Sequence, residues 1–329
     1  MYEIKKWEDF CTMKRLTTIL TAAALSLTVS ATAQAQSKVK ISDLNWTGAK
    51  AIGHVIKAVI EQRLGGEAEI VKGMSDQSII AAGMDKGDGS VDVYTDMWMP
   101  NQQALWDKFI KEAKTVDHNT PYKGTQGMFV PHYLADKIKS FNDLKKPEIA
   151  AMFDKDGDGK GEYWAGDASW KSTKMWQVKF KDYGLNELWE PEIVSDATFK
   201  AQLKASYATE KPILFYYWTP EWIHAAYKIS TLDEPARTDG CMALKLDQED
   251  WLEASKFKCK HADASIYVAF SKSLEKRNPK AAKFLKQIKL DPAVVNGWIL
   301  QIGRDKLDPQ DVAESWVKEN KATVDKWIN

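Results

Sequence analysis

Strand-like and helix-like segments alternate through the first third of the chain, and this alternation restricts the possible folds. Residues 38–44 alternate polar and apolar side chains as a strand does, and apolar residues from Ile52 to Ile60 then recur at helical spacing before Gly65. Further strands are predicted at residues 67–71 and 91–94, and further helices at residues 77–85 and 101–114. Strands that alternate with helices predict an α/β layer with a parallel sheet.

Ligands of such sheets bind beyond the carboxyl ends of the strands. Trp46 follows the first predicted strand and Trp98 follows the third, so both are expected at that edge. A second α/β region is predicted from residues 124–133 to about residue 228, and the remainder holds a strand at 266–270 and helices at 279–288 and 308–320. A chain that leaves one lobe, builds a second and returns is typical of binding proteins that close at a hinge.

The first 35 residues have the pattern of an export signal. Met13, Lys14 and Arg15 form a basic start, residues 16–29 are apolar, and Ala33 and Ala35 complete an A-x-A cleavage pattern. We expect cleavage near Ala35 and a periplasmic protein, with residues 1–12 as an upstream extension. A membrane anchor is the alternative, but the apolar run is shorter than the ~20 residues that a span requires.

Two cysteines, Cys241 and Cys259, follow the predicted cleavage point. In an exported protein such a pair predicts one disulfide, which would stabilise the fold by roughly 3 kcal/mol through loop closure. Two unpaired buried thiols are the alternative.

An acidic loop at residues 154–162 resembles the first nine positions of a calcium-binding loop. Its predicted oxygen ligands are Asp154, Asp156, Asp158, the carbonyl of Lys160, and Glu162. Position twelve is Ala165 where a bidentate glutamate is expected, and Asp167 is a possible substitute. The loop predicts a structural Ca²⁺ site, and a solvated acidic turn is the alternative.

Several functional classes are disfavoured by the sequence. It has neither a nucleophile elbow nor a zincin, P-loop or dinucleotide motif, and its five histidines are not paired at metal-ligand spacing, so we expect no enzyme. Lys and Arg balance Asp and Glu at 46 each, and no basic stripe carries interleaved aromatic residues, so nucleic acid is not an expected partner.

The chain has 14 tryptophans, many of them in aromatic-rich strings. Indole faces attract soft cations, so several that converge on one point form a cage for a quaternary-ammonium-like solute. Packing in a large core is the alternative for any single tryptophan.

Three stretches resemble the periplasmic substrate-binding proteins of glycine betaine/proline betaine ABC transporters, the ProX/OpuAC group. They are the W-x-P segment at Trp98 and Pro100, the GTQG turn at residues 124–127, and the KPILFYYWTPEW segment at residues 211–222. The resemblance covers about residue 38 to the end. It implies a type II-like α/β protein with two lobes, each a mixed sheet flanked by helices, which close around the ligand at a hinge. Lobe I would contain residues 36–124 and 229–329, and lobe II residues 125–228.

The resemblance also implies a site. Trp98 from lobe I and Trp170 and Trp218 from lobe II would surround the onium head. The backbone N–H groups of Lys171 and Ser172 would hold a carboxylate, with Gln102 as a further donor.

The sequence departs from the family pattern around the middle tryptophan. Lys171 and Ser172 replace a Gly-Cys pair, so Trp164 and Trp176 compete with Trp170, and Trp46 is an added candidate. Relatives that bind trimethylamine N-oxide use four tryptophans, a glutamate and a calcium loop, and Glu162 is a candidate for that glutamate or for the metal.

The function implied is that of a solute-binding protein that delivers a glycine betaine-like osmolyte to a membrane permease and its ATPase. Trimethylamine N-oxide and dimethylsulfoniopropionate are alternative ligands. A sensing module for a signalling receptor and a calcium-dependent structural protein with core tryptophans are the alternative classes.

Overall fold

The computed structural model describes residues 36–329. The predicted upstream extension and signal peptide, residues 1–35, lie outside this range. Within it, no helix combines the length and the apolar character needed to cross a bilayer.

Twelve strands are present in the described residues. They are β1 Val39–Ser42, β2 Ala68–Val71, β3 Val93–Met99, β4 Val116–His118, β5 Tyr122–Pro131, β6 Gly161–Trp164, β7 Trp189–Glu192, β8 Leu214–Thr219, β9 Ile229–Thr231, β10 Met242–Ala243, β11 Lys256–Phe257 and β12 Ala264–Ser271.

The α-helices flank these strands. They are α1 Thr47–Arg63, α2 Gln77–Lys86, α3 Gln103–Leu105, α4 Pro147–Ala150, α5 Lys171–Asp182, α6 Asp196–Ala208, α7 Ile223–Ala226, α8 Trp251–Ala254, α9 Leu274–Arg277, α10 Pro279–Gln287, α11 Pro292–Ile299, α12 Pro309–Glu319 and α13 Lys321–Ile328. The helix predicted at 101–114 is α3 followed by a π-helical turn, Trp106–Glu112, and a second π-helical turn, Leu300–Arg304, follows α11. Short 3₁₀ turns lie at His132–Leu134 and Asp143–Lys145.

The main sheet has the strand order β2-β1-β3-β12-β5-β8-β6-β7, with β4 beside β12 and β9 beside β5. As the alternation predicts, β1 runs parallel to β2 and β3. The antiparallel β12 and β5 make the sheet mixed. Such a mixture arises because the chain returns to the first group of strands after building the second.

The long strand β5 joins two groups of strands. Its first residues, Tyr122 to Gly124, pair with β12, and residues 125–129 pair with β8. We call the strands β1–β4 and β12 with their helices the first lobe, and β6–β9 with theirs the second lobe. At the junction, a Cβ on Gly124 would lie 2.5 Å from the backbone oxygen of Thr219 and 3.0 Å from the Trp98 ring, so glycine permits this close passage.

The C-terminal helices belong to the first lobe, since α11 and α12 pack on α1. Residues 229–259, by contrast, do not belong to the first lobe. β9 pairs with the second half of β5, and Cys241, Phe257 and Cys259 cluster with Met175 and Val178 of α5. The sequence assigned 229–329 to lobe I as one block, and these contacts instead attach 229–259 to the second lobe.

Residues 229–259, which pack on α5, are held by a disulfide and by a buried ion pair. Cys241 and Cys259 form a disulfide with Cα atoms 5.9 Å apart. Beside it, Lys179 of α5 pairs with Glu234, and both side chains are buried. Burial lowers the pKa of Lys179 to about 8 even though Glu234 opposes that shift. Residues 229–259 are therefore a well-packed part of the second lobe.

Candidate functional site

Four tryptophans surround a small cavity between the two lobes. Trp46 and Trp98 come from the first lobe, Trp170 and Trp218 from the second, and all four are at most 8% exposed. The cavity volume is about 30 Å³, so the indoles nearly touch across it. The other lining residues are Gln77, Tyr94, Asp96, Asn101, Gln102, Lys171, Ser172 and Tyr216.

Each of the four tryptophans follows or ends a strand. Trp98 and Trp218 lie near the carboxyl ends of β3 and β8, while Trp46 and Trp170 are the N-cap residues of α1 and α5. This is the edge at which α/β sheets bind ligands. The position of Trp46 and Trp98 at this edge agrees with the strand pattern read from the sequence.

The indole planes are close to perpendicular. Ring centroids of Trp46 and Trp170 are 5.8 Å apart at 84°, those of Trp170 and Trp218 are 5.2 Å apart at 82°, and those of Trp98 and Trp218 are 6.5 Å apart at 77°. In each such pair the edge of one indole lies against the face of the next, and all four rings line the cavity. Such faces carry the negative quadrupole charge that attracts a cation.

A buried carboxylate, Asp96, holds the first-lobe tryptophans. Its Oδ2 accepts hydrogen bonds from Nε1 of Trp46 at 2.6 Å and of Trp98 at 3.0 Å, and its Oδ1 accepts one from the Tyr122 hydroxyl at 2.7 Å. Burial raises the pKa of Asp96, and the hydrogen bonds oppose that rise. The sequence interpretation missed Asp96. The signal available was the single charged residue of the buried strand β3, two positions before Trp98.

The second-lobe tryptophans have different supports. Nε1 of Trp170 donates to Oδ1 of Asn45 at 2.8 Å, which is a hydrogen bond across the cleft. Trp218 stacks on Tyr217 at 4.3 Å with planes 17° apart. A second cross-cleft contact joins the side-chain amides of Asn101 and Gln126, which bond each other at 3.0 and 3.1 Å.

Neutral donors line the polar side of the cavity. Lys171 and Ser172 open α5, where the first backbone N–H groups lack intrahelical partners, and Trp170 supplies no side-chain cap. The ammonium of Lys171 turns away from the cage to pair with Asp247. Lys171 and Ser172 thus line the cavity at the start of α5, and the role of their backbone N–H groups as carboxylate donors stays a prediction.

Two glutamine amides and a phenol complete this side. The Gln102 amide nitrogen donates to Oε1 of Gln77, and both side chains are buried. Oε1 of Gln102 and the hydroxyl of Tyr94 have no hydrogen-bond partner within residues 36–329. Both residues line the cavity, and unpartnered buried polar atoms beside a cavity are suited to a polar ligand group.

Trp164 and Trp176 do not line the cavity. The Trp164 ring stacks on Phe199 at 3.9 Å, and its Nε1 donates to the backbone oxygen of Val194 at 3.0 Å. The Trp176 ring lies 5.5 Å from the Tyr216 ring, and the ammonium of Lys179, one turn further along α5, lies over its face. The prediction of Trp164 as a cage wall is therefore wrong in position, because its ring backs Trp170 at 5.8 Å. Trp170 occupies the cage position for which the three competed.

The acidic loop brings carboxylates together, and none of them is among the residues that line the cage. Ligand-capable oxygens of Asp154, Asp156 and Glu162 lie within 4.8 Å of one another, and so do those of Asp156, Asp158 and Glu190. Glu190 on β7 was missed because it reaches the loop through its strand pairing with Glu162 and not through sequence spacing.

The sequence left the roles of Glu162 and Asp167 undecided, and the two side chains lie in different environments. Glu162 faces the loop, since both of its carboxylate oxygens accept from the Lys155 backbone at 3.1 and 3.0 Å, so it does not lie among the residues that line the cage. Burial raises the pKa of Glu162. Asp167, the possible substitute at position twelve, instead accepts from the backbone and hydroxyl of Ser169 at 2.9 and 2.7 Å.

Known proteins resemble this chain over most of its length. The family model OpuAC, described as the substrate binding domain of an ABC-type glycine betaine transport system, matches residues 37–319. The trimethylamine N-oxide-binding protein of Pelagibacter ubique is 23% identical over 322 residues, covering 94% of this chain and 98% of its own.

Two solved structures show the same fold. The glycine betaine/L-proline-binding protein ProX of Borrelia burgdorferi gives a TM-score of 0.70 at 22% identity, covering 89% of this chain and 97% of its own. Lactococcal OpuAC, closed on glycine betaine, gives a TM-score of 0.68 at 18% identity, covering 89% of this chain and 100% of its own. The fold is that of two-lobed periplasmic binding proteins, as the sequence predicts.

Proposed function

Since the chain belongs to the OpuAC family, the substrate binding domain of ABC-type glycine betaine transport systems, we propose that it captures a glycine betaine-like quaternary ammonium solute in its tryptophan cage. The observation that carries the proposal is the meeting of four buried indoles from two lobes around one cavity.

The cage matches the onium head of such a solute. Each cation–π contact with a desolvated cation contributes about 1–2 kcal/mol. The buried carboxylate of Asp96, bonded to the Nε1 atoms of Trp46 and Trp98, adds negative charge behind two of the rings. Four such contacts with a few hydrogen bonds are consistent with micromolar affinity, about −8 kcal/mol, after the costs of ordering.

The start of α5, which lines the same cavity, suits a carboxylate. The N–H groups of Lys171 and Ser172 at the start of α5 are neutral donors, reinforced by the positive end of the helix dipole. They can stabilise an anion without repelling the neighbouring cation. This combination favours a betaine over an onium solute that lacks an acceptor group.

Membership of the family supports a wider proposal about where the protein acts and what it docks on. We place the mature protein in the periplasm after removal of residues 1–35, where it closes on its solute and docks on a membrane permease that is driven by an ATPase. The hinge would lie at the passage of β5 between lobes, near Gly124. In this role the protein binds the solute, carries it and releases it unchanged.

The acidic loop would hold a structural Ca²⁺. Its donors are hard carboxylate oxygens of the kind that Ca²⁺ prefers, from Asp154, Asp156 and Glu162, with Asp158 and the Lys160 carbonyl completing the predicted set. Because β6 carries Glu162 and leads to Trp164 and Trp170, the ion would brace the segment that presents the cage. Thermal unfolding with Ca²⁺ or a chelator tests this: a rise in Tm with Ca²⁺ supports it, and an unchanged Tm contradicts it.

Calorimetry tests the solute. Glycine betaine, choline, trimethylamine N-oxide and dimethylsulfoniopropionate are titrated into the mature chain while tryptophan fluorescence is recorded. We expect glycine betaine to bind most tightly and to change the spectrum. Absence of heat and of spectral change with all four would contradict the cage, whereas stronger binding of another solute would reassign the ligand.

A further inference from the structure

One aromatic contact between the lobes lies outside the tryptophan cage. Trp222, at the start of α7 in the second lobe, is 8% exposed and is not among the residues that line the cage. Its ring packs on Gly303, which lies in the π-helical turn Leu300–Arg304. This turn contacts α1, α11 and α12, so it belongs to the first lobe. The Trp222–Gly303 contact therefore joins the two lobes.

Glycine at position 303 is explained by the space that the Trp222 ring occupies. A Cβ on Gly303 would lie 2.2 Å from Cδ1, 2.5 Å from Nε1 and 3.1 Å from Cγ of Trp222, and these are its three nearest neighbours beyond its own helix. Gly303 is not among the glycines with positive φ, so its backbone conformation suits any residue. The ring is held by packing, since its Nε1 has no hydrogen-bond partner within residues 36–329.

A buried charged group bridges the lobes at the same place. Nζ of Lys200, in α6 of the second lobe, donates to Oγ1 of Thr47 at 3.2 Å, and Thr47 is the first residue of α1 in the first lobe. The same ammonium donates to Asp196 at 2.7 Å and to Glu221 at 3.5 Å. These two carboxylates belong to the second lobe and are buried. They fix the ammonium where it meets the first lobe.

Two ammonium groups, one from each lobe, lie near the face of Trp222. Nζ of Lys200 lies 5.6 Å from the ring centre, and so does Nζ of Lys306, which follows the π-helical turn of the first lobe. Both distances are within the range of cation–π attraction. The Lys306 contact forms only while the lobes are together, because its two partners belong to different lobes.

Both sides of this contact connect directly to the cage. On the first lobe, Thr47 follows the cage residue Trp46 in the chain. On the second lobe, Nε2 of His224 in α7 donates to the backbone oxygen of Trp218 at 2.8 Å, which ties the turn that carries Trp222 to a cage indole. Displacement of Trp222 from the first lobe should therefore move Trp218 away as well.

We propose that Trp222 is a positioning residue for lobe closure, which packs on Gly303 in the closed state and so scales the affinity of the cage without touching the solute. The inference rests on the proposed function of the cage and adds the residues that determine its closure. Only the closed fraction of the protein binds with full affinity, so a variant that disfavours closure should weaken every cage ligand by the same factor.

Gly303→Ala is the sharpest test, because it adds one methyl group against Trp222 and changes no residue of the cage. Calorimetry is run with glycine betaine, trimethylamine N-oxide and choline. We expect each solute that the wild type binds to bind at least about tenfold more weakly, by a common factor. Small-angle X-ray scattering with saturating glycine betaine gives a second measurement, in which the variant should remain less compact than the wild type.

The matched control is Gly297→Ala in α11 of the same lobe, where a Cβ would have no neighbour within 4 Å, and its affinities should match those of the wild type. Trp222→Leu alone should weaken binding about fivefold, yet added to Gly303→Ala it should improve binding, because the smaller side chain relieves the clash. Thr47→Val removes the acceptor of Lys200 and should cost about threefold.

Wild-type affinity in Gly303→Ala, or a loss that differs from one solute to the next, would overturn the role of Trp222 in closure and leave the cage intact. Circular dichroism checks that the variant folds. If Gly303→Ala does not fold, Trp222→Leu decides the question by the same two criteria, a common factor for all solutes and a less compact liganded state. Failure of the wild type to bind any of the solutes would instead contradict the proposed function.

Discussion

The two halves of the tryptophan cage are supported in different ways. In the first lobe, Trp46 and Trp98 donate to one buried carboxylate, Asp96, which belongs to the same lobe. In the second lobe, Trp218 is held by stacking on Tyr217, and Trp170 reaches across the cleft to Asn45. One half is therefore complete within its own lobe, whereas the other gains a partner from the opposite lobe.

This difference bears on how the cage would close. Charge-assisted hydrogen bonds are about twice as strong as neutral ones, so the first-lobe indoles should keep their orientation when the lobes separate. The Trp170–Asn45 bond must break on opening, which makes it part of the closing equilibrium that the ligand shifts. The first lobe thus supplies a preorganised face, and the second supplies the closure.

Removal of a second-lobe ring should have the largest effect on binding. Trp218 contacts both Trp98 and Trp170, so Trp218→Ala removes one face and the contacts that orient two others. We expect a loss of about 2 kcal/mol, or roughly 30-fold, in calorimetric affinity for glycine betaine, and Trp98→Ala should lose at least about tenfold. Trp106→Ala is the control, because that ring packs on His118 and Tyr267 and not on the cavity. Wild-type affinity in both cage variants would contradict the cage.

Asp96→Asn tests the first-lobe support, and we expect about a tenfold loss because the isosteric amide keeps the shape and removes the charge behind two rings. Burial raises the pKa of Asp96, so in the wild type the charge is present above that raised pKa and is lost as the pH falls through it. Affinity should accordingly fall on acidification at a higher pH than an exposed aspartate would cause. The variant should lack that step, and an identical pH profile in both proteins would exclude this role.

Much of this asymmetry could not be predicted from the sequence. The strand and helix pattern predicts the parallel core of the first lobe and puts Trp46 and Trp98 at its ligand edge. The family resemblance points to Trp170, Trp218 and the α5 N–H groups. Hydrogen bonds between residues far apart in the chain, such as Asn45 to Trp170, have no local pattern. The same holds for Glu190 beside the acidic loop and for the docking of residues 229–259 on α5, because both depend on tertiary packing.

Asn45→Leu tests the closure assigned to the second lobe. The substitution removes the cross-cleft acceptor of Trp170 and leaves the Asp96 network intact. We expect about a fivefold loss of affinity, the worth of one net hydrogen bond near 1 kcal/mol, carried mainly by faster ligand dissociation. Stopped-flow fluorescence separates the two rates. An effect on association alone would mean that the bond is not part of the closed state.

The smallest effect on affinity is expected behind the cage. Trp164 stacks on Phe199 and backs Trp170, yet it does not line the cavity. In Trp164→Phe the backing ring remains while the Nε1 bond to the Val194 carbonyl is lost. Affinity for glycine betaine should stay within about twofold of wild type, while the free energy of unfolding should fall by about 0.5–1.5 kcal/mol because one part-buried hydrogen bond is lost.

Paired measurements on this one variant separate support from contact. Denaturant unfolding gives the stability and calorimetry gives the affinity, so the two effects are read on the same preparation. If Trp164→Phe weakened binding as much as Trp218→Ala does, the second-lobe half of the cage would extend one layer deeper than the cavity. The asymmetry between the lobes would then lie in the depth of the aromatic packing and not in the hydrogen bond to Asn45. If affinity holds while stability falls, Trp164 acts only by supporting Trp170, and the contact surface is confined to the four indoles that line the cavity.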